Sequence, residues 1–221
     1  MDFFERALGT LGEIGSNATN FRQLSGCLDQ LVPFVGAGLS ADFGYPQWTH
    51  FLADAADRFG LRSNVDDHLA RQEFEEGAEV LAQYRPKAFD DFLRDTFNQR
   101  KLTRPIRKGA VCHLPRIARG PVLTTNFDRV LEATFEDLGR RFEEVFPGSR
   151  IGQASRAIQL NQPFLLKLHG DYADSASHVL TLSEYAREYG SSPARLCRFR
   201  PSSADRSCPS SRRATAALPR L

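Results

Sequence analysis

Three apolar runs in this 221-residue chain each end abruptly in residues able to do chemistry. Leu31–Val35 runs into Gly36-Ala37-Gly38-Leu39-Ser40-Ala41. Pro121–Thr125 runs into Asn126-Phe127-Asp128, and Phe164–Leu168 runs into His169-Gly170-Asp171. Gly36 and Gly38, one residue apart, allow positive φ and close approach of a ligand to the backbone. Free N–H groups beside a helix start suit a phosphate. Asn126 and Asp128 supply an amide and a carboxylate for a polar ligand, although both types also cap helices. His169 has the side chain whose ordinary pKa lies nearest neutrality, which suits a general base, and Gly170 removes bulk beside it. Nucleotide binding with proton abstraction is the chemistry these residues could perform. For the glycine loop alone, a tight turn packing a helix onto a sheet is the competing reading.

Familiar motifs narrow the choice. The loop fits G-x-G-x-x-G/A only loosely, and no second strand ending in an acid follows at the spacing a dinucleotide dehydrogenase needs. It lacks the Gly-Lys-Ser/Thr of a P-loop. Ser40 is not in G-x-S-x-G, so a serine-hydrolase elbow is unsupported although His169 and Asp128 are present.

The elements that must position these loops follow from periodicity. Phe4, Ala7, Leu8, Leu11 and Ile14 recur at helical spacing, and Asn20 with Gln23 resembles a capping box opening a second helix. Leu31–Val35, Pro121–Thr125 and Phe164–Leu168 read as buried strands, with Pro33 tolerable only near a strand start. Pro46, in the Gly44-Tyr45-Pro46 turn, suits the first position of a helix carrying Trp48, Phe51, Leu52, Ala55, Ala56 and Phe59. Residues 66–84 and 87–99 are further helices, the second striped by Phe89, Phe92, Leu93 and Phe97; stripes of this kind usually mean core packing. A short helix interrupted at Pro115 falls within 109–118. Phe127, Val130, Leu131, Phe135 and Leu138 share a helical face. Phe142–Phe146 and Ala157–Leu160 are weak strands, and Thr181 to Glu184 is a capping box. Strands alternating with helices give an α/β fold: a Rossmann-like parallel sheet with an inserted helical subdomain at about 61–118. Such sheets bind ligands at the carboxyl ends of their strands, where all three loops lie.

Hydrophobic content of 41% and charged content of 25% are those of an ordinary globular protein, and no apolar stretch approaches the roughly 20 residues that span a bilayer. The acidic start MDFFERALGTLGEIG is not a signal peptide, which makes the cytoplasm the default location. Cys27, Cys112, Cys197 and Cys208 show no ligand spacing and read as reduced structural thiols, with no metal site. The net charge of +2 conceals an asymmetry. Seven arginines against one acid lie from Ser191 onward, so residues 1–190 are net acidic and make no electrostatic case for nucleic acid. No membrane partner is indicated, and a homo-oligomer stays open. The division is therefore a domain over 1–190 and a tail over 191–221. The tail is Arg, Ser, Pro and Ala without periodicity and reads as disordered. Its abrupt loss of Lys and Glu fits a reading frame entered out of register near residue 190.

Together, GAGLS, the GYP turn, TTNFD and LKLHGD, in this order, resemble the sirtuin-like NAD-binding fold over roughly residues 25–190. The likeness is nearer to the bacterial sirtuin-like NAD hydrolases of antiphage defence than to protein deacylases. Deacylases usually read TQN where this chain has Thr124-Thr125-Asn126, and carry a four-cysteine zinc module. The resemblance implies that Gly36, Ala37, Gly38 and Ser40 line the pyrophosphate and ribose pocket of NAD, the substrate. It implies that Asn126 lies by the nicotinamide ribose, that Asp128 holds the carboxamide and that His169 is the base. Family members continue past the HG strand with further strands, including a Gly/Ser loop for the adenosine half; here the tail stands in that place, as in a truncated or frameshifted chain. An NAD-dependent deacylase and an inactive nucleotide-binding remnant are the rival readings.

Overall fold

The computed structural model describes residues 15–27, 31–160 and 162–190. The first expected helix, the closing segment 191–221 and Leu28 lie outside them. Four short strands form the sheet: β1 (Phe34–Val35), β2 (Val122–Thr124), β3 (Glu144–Pro147) and β4 (Phe164–Lys167). They are all parallel and ordered β1-β2-β4-β3, so the chain crosses to the far edge for β3 and returns to insert β4. The fold is α/β and Rossmann-like.

Register explains why the three loops meet. Val35 is level with Thr124, Thr124 with Lys167, and Lys167 with Pro147. One row thus closes the carboxyl edge, and the glycine loop, Thr125–Asp128 and Leu168–Asp171 all leave from it. Pro33 precedes β1 and offers only its carbonyl, which accepts the Leu123 N–H at 2.9 Å; the missing donor costs the ladder nothing there.

Helices α1 (Gly15–Gly26) and α2 (Trp48–Phe59) are followed by α3 (Arg62–Ala70), α4 (Phe74–Tyr84) and α5 (Pro86–Phe97). Phe51, Leu52, Val65, Ala78, Leu81, Phe89, Leu93 and Phe97 merge with Val35, Val122 and Leu165 of the sheet into one buried cluster. The helices that follow the glycine loop therefore pack into the same core as the strands. Then come α6 (Leu114–Ile117), α7 (Val130–Asp137), α8 (Ala154–Gln159) and α9 (Leu182–Tyr189). On the opposite face a smaller cluster joins Phe146, Phe164 and Leu166 to Ala154 and Ala157 of α8.

Several expectations are corrected. Helix α1 runs through Asn20, so Asn20 and Gln23 do not open it. Pro46 lies one residue before the N-cap, Gln47, instead of at the first helical position. The single helix expected over 66–84 is two, broken where Gln72 takes φ +60° and the Glu73 N–H turns back to His68 O at 2.9 Å. The break folds α3 and α4 side by side against α2, which buries both Val65 and Leu81 completely. Pro115 lies in the first turn of α6 and does not interrupt it, because the N–H it lacks has no partner there. Leu138 falls beyond α7 and is exposed. Ala157–Leu160 is helix and helix end, not strand: Ala154 and Ala157, three apart, are the buried face.

Candidate functional site

The glycine loop folds as two successive tight turns, Ala37–Leu39 and Ala41–Phe43. Gly36 is extended at φ −105°, and neither Gly36 nor Gly38 has positive φ; that conformation falls on Gly44 (φ +81°) in the GYP turn. A Cβ on Gly36 or Gly38 would have no protein atom within 4 Å. Internal packing therefore does not require glycine at either position; both are exposed, and neither lines the cleft beside Asn126.

The second loop is tied to the first by hydrogen bonds. The Thr124 hydroxyl donates to Val35 O at 2.8 Å and accepts the Asn126 N–H at 3.0 Å. This aims the Asn126 carboxamide at the glycine loop, where Nδ2 donates to Gly36 O (3.2 Å) and Ser40 Oγ (2.9 Å). Both its hydrogens are then used, while Oδ1 is buried without a partner among the described residues. A buried carbonyl left this way costs about 1–3 kcal/mol, which a donor on a bound ligand would recover. Asp128 lies one residue before Arg129, the N-cap of α7, and its Oδ1 accepts the N–H of Val130, the first helical residue, at 2.9 Å. It is also a wall of the cleft. Burial raises its pKa, against the Val130 N–H, the Lys167 charge and the Ser40 hydroxyl. Ala37, Ser40, Asn126, Asp128 and Trp48 line this cleft, a narrow one with a cavity volume of about 20 Å³.

His169 is 3% exposed, and burial alone pushes its pKa down to about 4, so it is neutral at pH 7. The adjoining Gly170 has φ +99°, and a Cβ there would lie 2.5 Å from Ser177 O, so glycine is obligatory beside this histidine. Its Nε2 is 2.5 Å from the Tyr185 hydroxyl, and its Nδ1 is buried without a partner among the described residues. His169 does not line the cleft of Asn126. It opens on an adjoining one lined by Trp48, Phe74, Glu75, Leu180 and Tyr185. Trp48 borders both, with ring centroids 5.6 Å from His169 and 6.1 Å from Phe127. The structure thus gathers Ala37, Ser40, Asn126 and Asp128, leaves Gly36 as an acceptor behind Asn126, and sets His169 across the Trp48 indole.

Beneath these loops lies an ionic hub that periodicity and motifs did not reveal. Lys167 is completely buried, and its Nζ donates to Phe127 O (3.1 Å), Asp128 O (2.7 Å), Glu132 Oε1 (3.1 Å) and Asp171 Oδ2 (2.9 Å). Arg129 grips both oxygens of Asp171 at 3.0 and 2.9 Å. Burial opposes charge on Asp171, yet Lys167 and Arg129 prevail and hold its pKa at about 2. Burial likewise opposes charge on Lys167, but Glu132 and Asp171 outweigh it and raise its pKa. One lysine thus locks the TTNFD loop to the HGD loop. A lone cation inside the apolar run Phe164–Leu168 was the available signal. Trp48 and Tyr185 gave none beyond a helical stripe and a capping box.

Among the described residues, no group of three or more His, Cys, Asp or Glu side chains is placed to hold a metal ion.

Residues 121–207 match the family model described as a SIR2-like domain, which takes in Asn126, Asp128, His169 and Tyr185. Defense-associated sirtuin 2 of Bacillus subtilis is 30% identical over 146 residues, covering 65% of this chain and 13% of that protein. The NAD(+) hydrolase ThsA of Cytobacillus dafuensis is 29% identical over 163 residues (71% and 30%), and that of Enterococcus faecium 27% over 162 (70% and 30%). The chain therefore spans less than a third of the length of these relatives. With its parallel sheet, its ordered loops and these matches, the chain is similar to SIR2-like, that is sirtuin-like, proteins, and the stretch that matches the family model is residues 121–207.

Proposed function

We propose that this domain hydrolyses the nicotinamide–ribose bond of NAD, giving nicotinamide and ADP-ribose, in the setting of bacterial antiphage defence. The supporting observation is Asn126, a residue that lines the cleft: its carboxamide is fastened to the glycine loop by both hydrogens, which leaves Oδ1 a buried acceptor without a partner among the described residues. Relatives named NAD(+) hydrolase and defense-associated sirtuin support the same reading. The pyrophosphate would rest on the open face of Gly36–Ser40, and Asp128 would meet the carboxamide. The C1′–N bond breaks with its electron pair going to nicotinamide, which leaves neutral, and an oxocarbenium-like ribosyl centre forms. Asn126 Oδ1 would orient a water, His169 would take its proton, and the remaining hydroxide would bond to C1′. The pyridinium already carries the positive charge that makes it leave, so the step asks for no Lewis acid. Trp48 would have to shift for Asn126 and His169 to address the same ribose. The reading is metal-free, has NAD as its small-molecule partner, needs neither nucleic acid nor membrane, and places the protein in the cytoplasm. Among the described residues, no helix is long and apolar enough to cross a membrane.

Asn126→Ala and His169→Ala test it. Each should abolish NAD loss while leaving the circular dichroism spectrum intact. Unchanged NAD consumption in either would refute the assignment of that residue.

A further inference from the structure

The base assignment leaves open which imidazole nitrogen works and what holds it. The Tyr185 hydroxyl is 2.5 Å from His169 Nε2, while Nδ1 is buried and has no partner among the described residues. A neutral imidazole carries one hydrogen. Placed on Nδ1, it would be a buried donor bonded to nothing; placed on Nε2, it is satisfied by Tyr185 and leaves only an idle acceptor. Orphaned buried donors are the rarer and costlier case. We infer that Tyr185 is a positioning residue for His169: its hydroxyl oxygen accepts the Nε2–H, fixing the tautomer whose lone pair is on Nδ1, the nitrogen that receives the proton. This rests on His169 being the base.

The surroundings are built to hold that contact. Helix α9 opens on a complete capping box, with Glu184 N–H on Thr181 Oγ1 (3.3 Å) and Thr181 N–H on Glu184 Oε2 (3.0 Å). One turn beyond Tyr185, the Tyr189 hydroxyl donates to Leu168 O at 2.9 Å, the carbonyl just before His169. The Ser183 N–H donates to Glu79 of α4 at 3.0 Å. The helix is thus pinned to the end of β4 on one side and to the helical layer on the other, with Tyr185 aimed at the imidazole edge. Tyr185 is half-buried, and its own hydroxyl hydrogen can turn toward the cleft.

The test is the Tyr185→Phe variant of the full chain, with nitrogen-15 NMR of the histidine side chains and steady-state kinetics on NAD. The His169 signal is assigned by its loss in His169→Gln. In the wild type, Nε2 should be the protonated nitrogen and Nδ1 the pyridine-type one. Tyr185→Phe should mix the tautomers and lower kcat at least tenfold, with KM for NAD changed less than threefold. A protonated Nδ1 in the wild type overturns the inference, whatever the variant does and even if the variant does not fold. A variant with unchanged tautomer and unchanged kcat also overturns it. Because the wild-type tautomer is read without turnover, failure of the NAD reading itself shows separately, as absent hydrolysis by the wild type.

Discussion

The Asn126 carboxamide donates to the Ser40 hydroxyl at 2.9 Å, across 86 positions of sequence, with Gly36 O as its second acceptor. This single side chain makes the second loop part of the first. Ser40→Ala would release one hydrogen of Nδ2 and let the amide swing. The expected cost is about 1 kcal/mol of stability and roughly tenfold in kcat on NAD. Thermal melts and initial-rate assays on the same preparation would check it, and an unchanged kcat would mean that this bond does not orient the amide.

The glycines divide into two kinds, and alanine should separate them. Gly170→Ala forces a side chain into Ser177 O at φ +99° and should cost more than about 2 kcal/mol. Gly38→Ala meets no protein atom within 4 Å and should melt within a few degrees of the wild type. Its defect should be in KM, raised about tenfold if the open face seats the substrate. Urea unfolding and Michaelis–Menten curves distinguish the two.

Lys167, completely buried, pairs with both Asp171 and Glu132. Lys167→Met would leave both carboxylates facing a buried thioether. The expected loss is about 3–5 kcal/mol, as for removing one member of a buried ion pair. Equilibrium urea denaturation measures it directly. A loss below about 1 kcal/mol would show that the hub does not hold the two loops together.

His169 gives a pH signature whose sign is fixed by its depressed pKa. Between its ordinary 6.5 and the folded value of about 4, the unfolded chain binds a proton that the folded chain refuses. Stability therefore falls as pH is lowered across that window, by at most about 3 kcal/mol, and is fully present above it. Asp171, depressed to about 2, adds a further loss only as pH falls from 3.8 toward 2. His169→Gln should remove the fall in stability that His169 contributes between pH 6.5 and 4 and leave the Asp171 contribution at lower pH unchanged. The wild-type rate should likewise persist well below pH 6.5.

Much of this was legible in the sequence because it depends on local pattern. The three strands stand out as apolar runs between breakers, α2 and α5 as one-face stripes, and Thr181–Glu184 as a capping box. The order of the three loops pointed to one carboxyl edge, which the level row Val35, Thr124 and Lys167 supplies. What escaped depends on tertiary placement. Gln72 takes positive φ because two helices must turn to share α2, and nothing in its own type announces that. Ala157–Leu160 is short and apolar, so its period could not separate strand from helix. The partition of Asn126 and His169 by Trp48, and the reach of Tyr185 across 16 positions to His169, exist only once the helical layer lies on the sheet.

The central claim is tested most directly by incubating the purified chain with NAD alone and resolving the products by liquid chromatography. The account predicts loss of NAD with nicotinamide and ADP-ribose appearing in equal amounts, without any acylated peptide. Unchanged NAD, or nicotinamide released only when an acyl-lysine peptide is added, would contradict it.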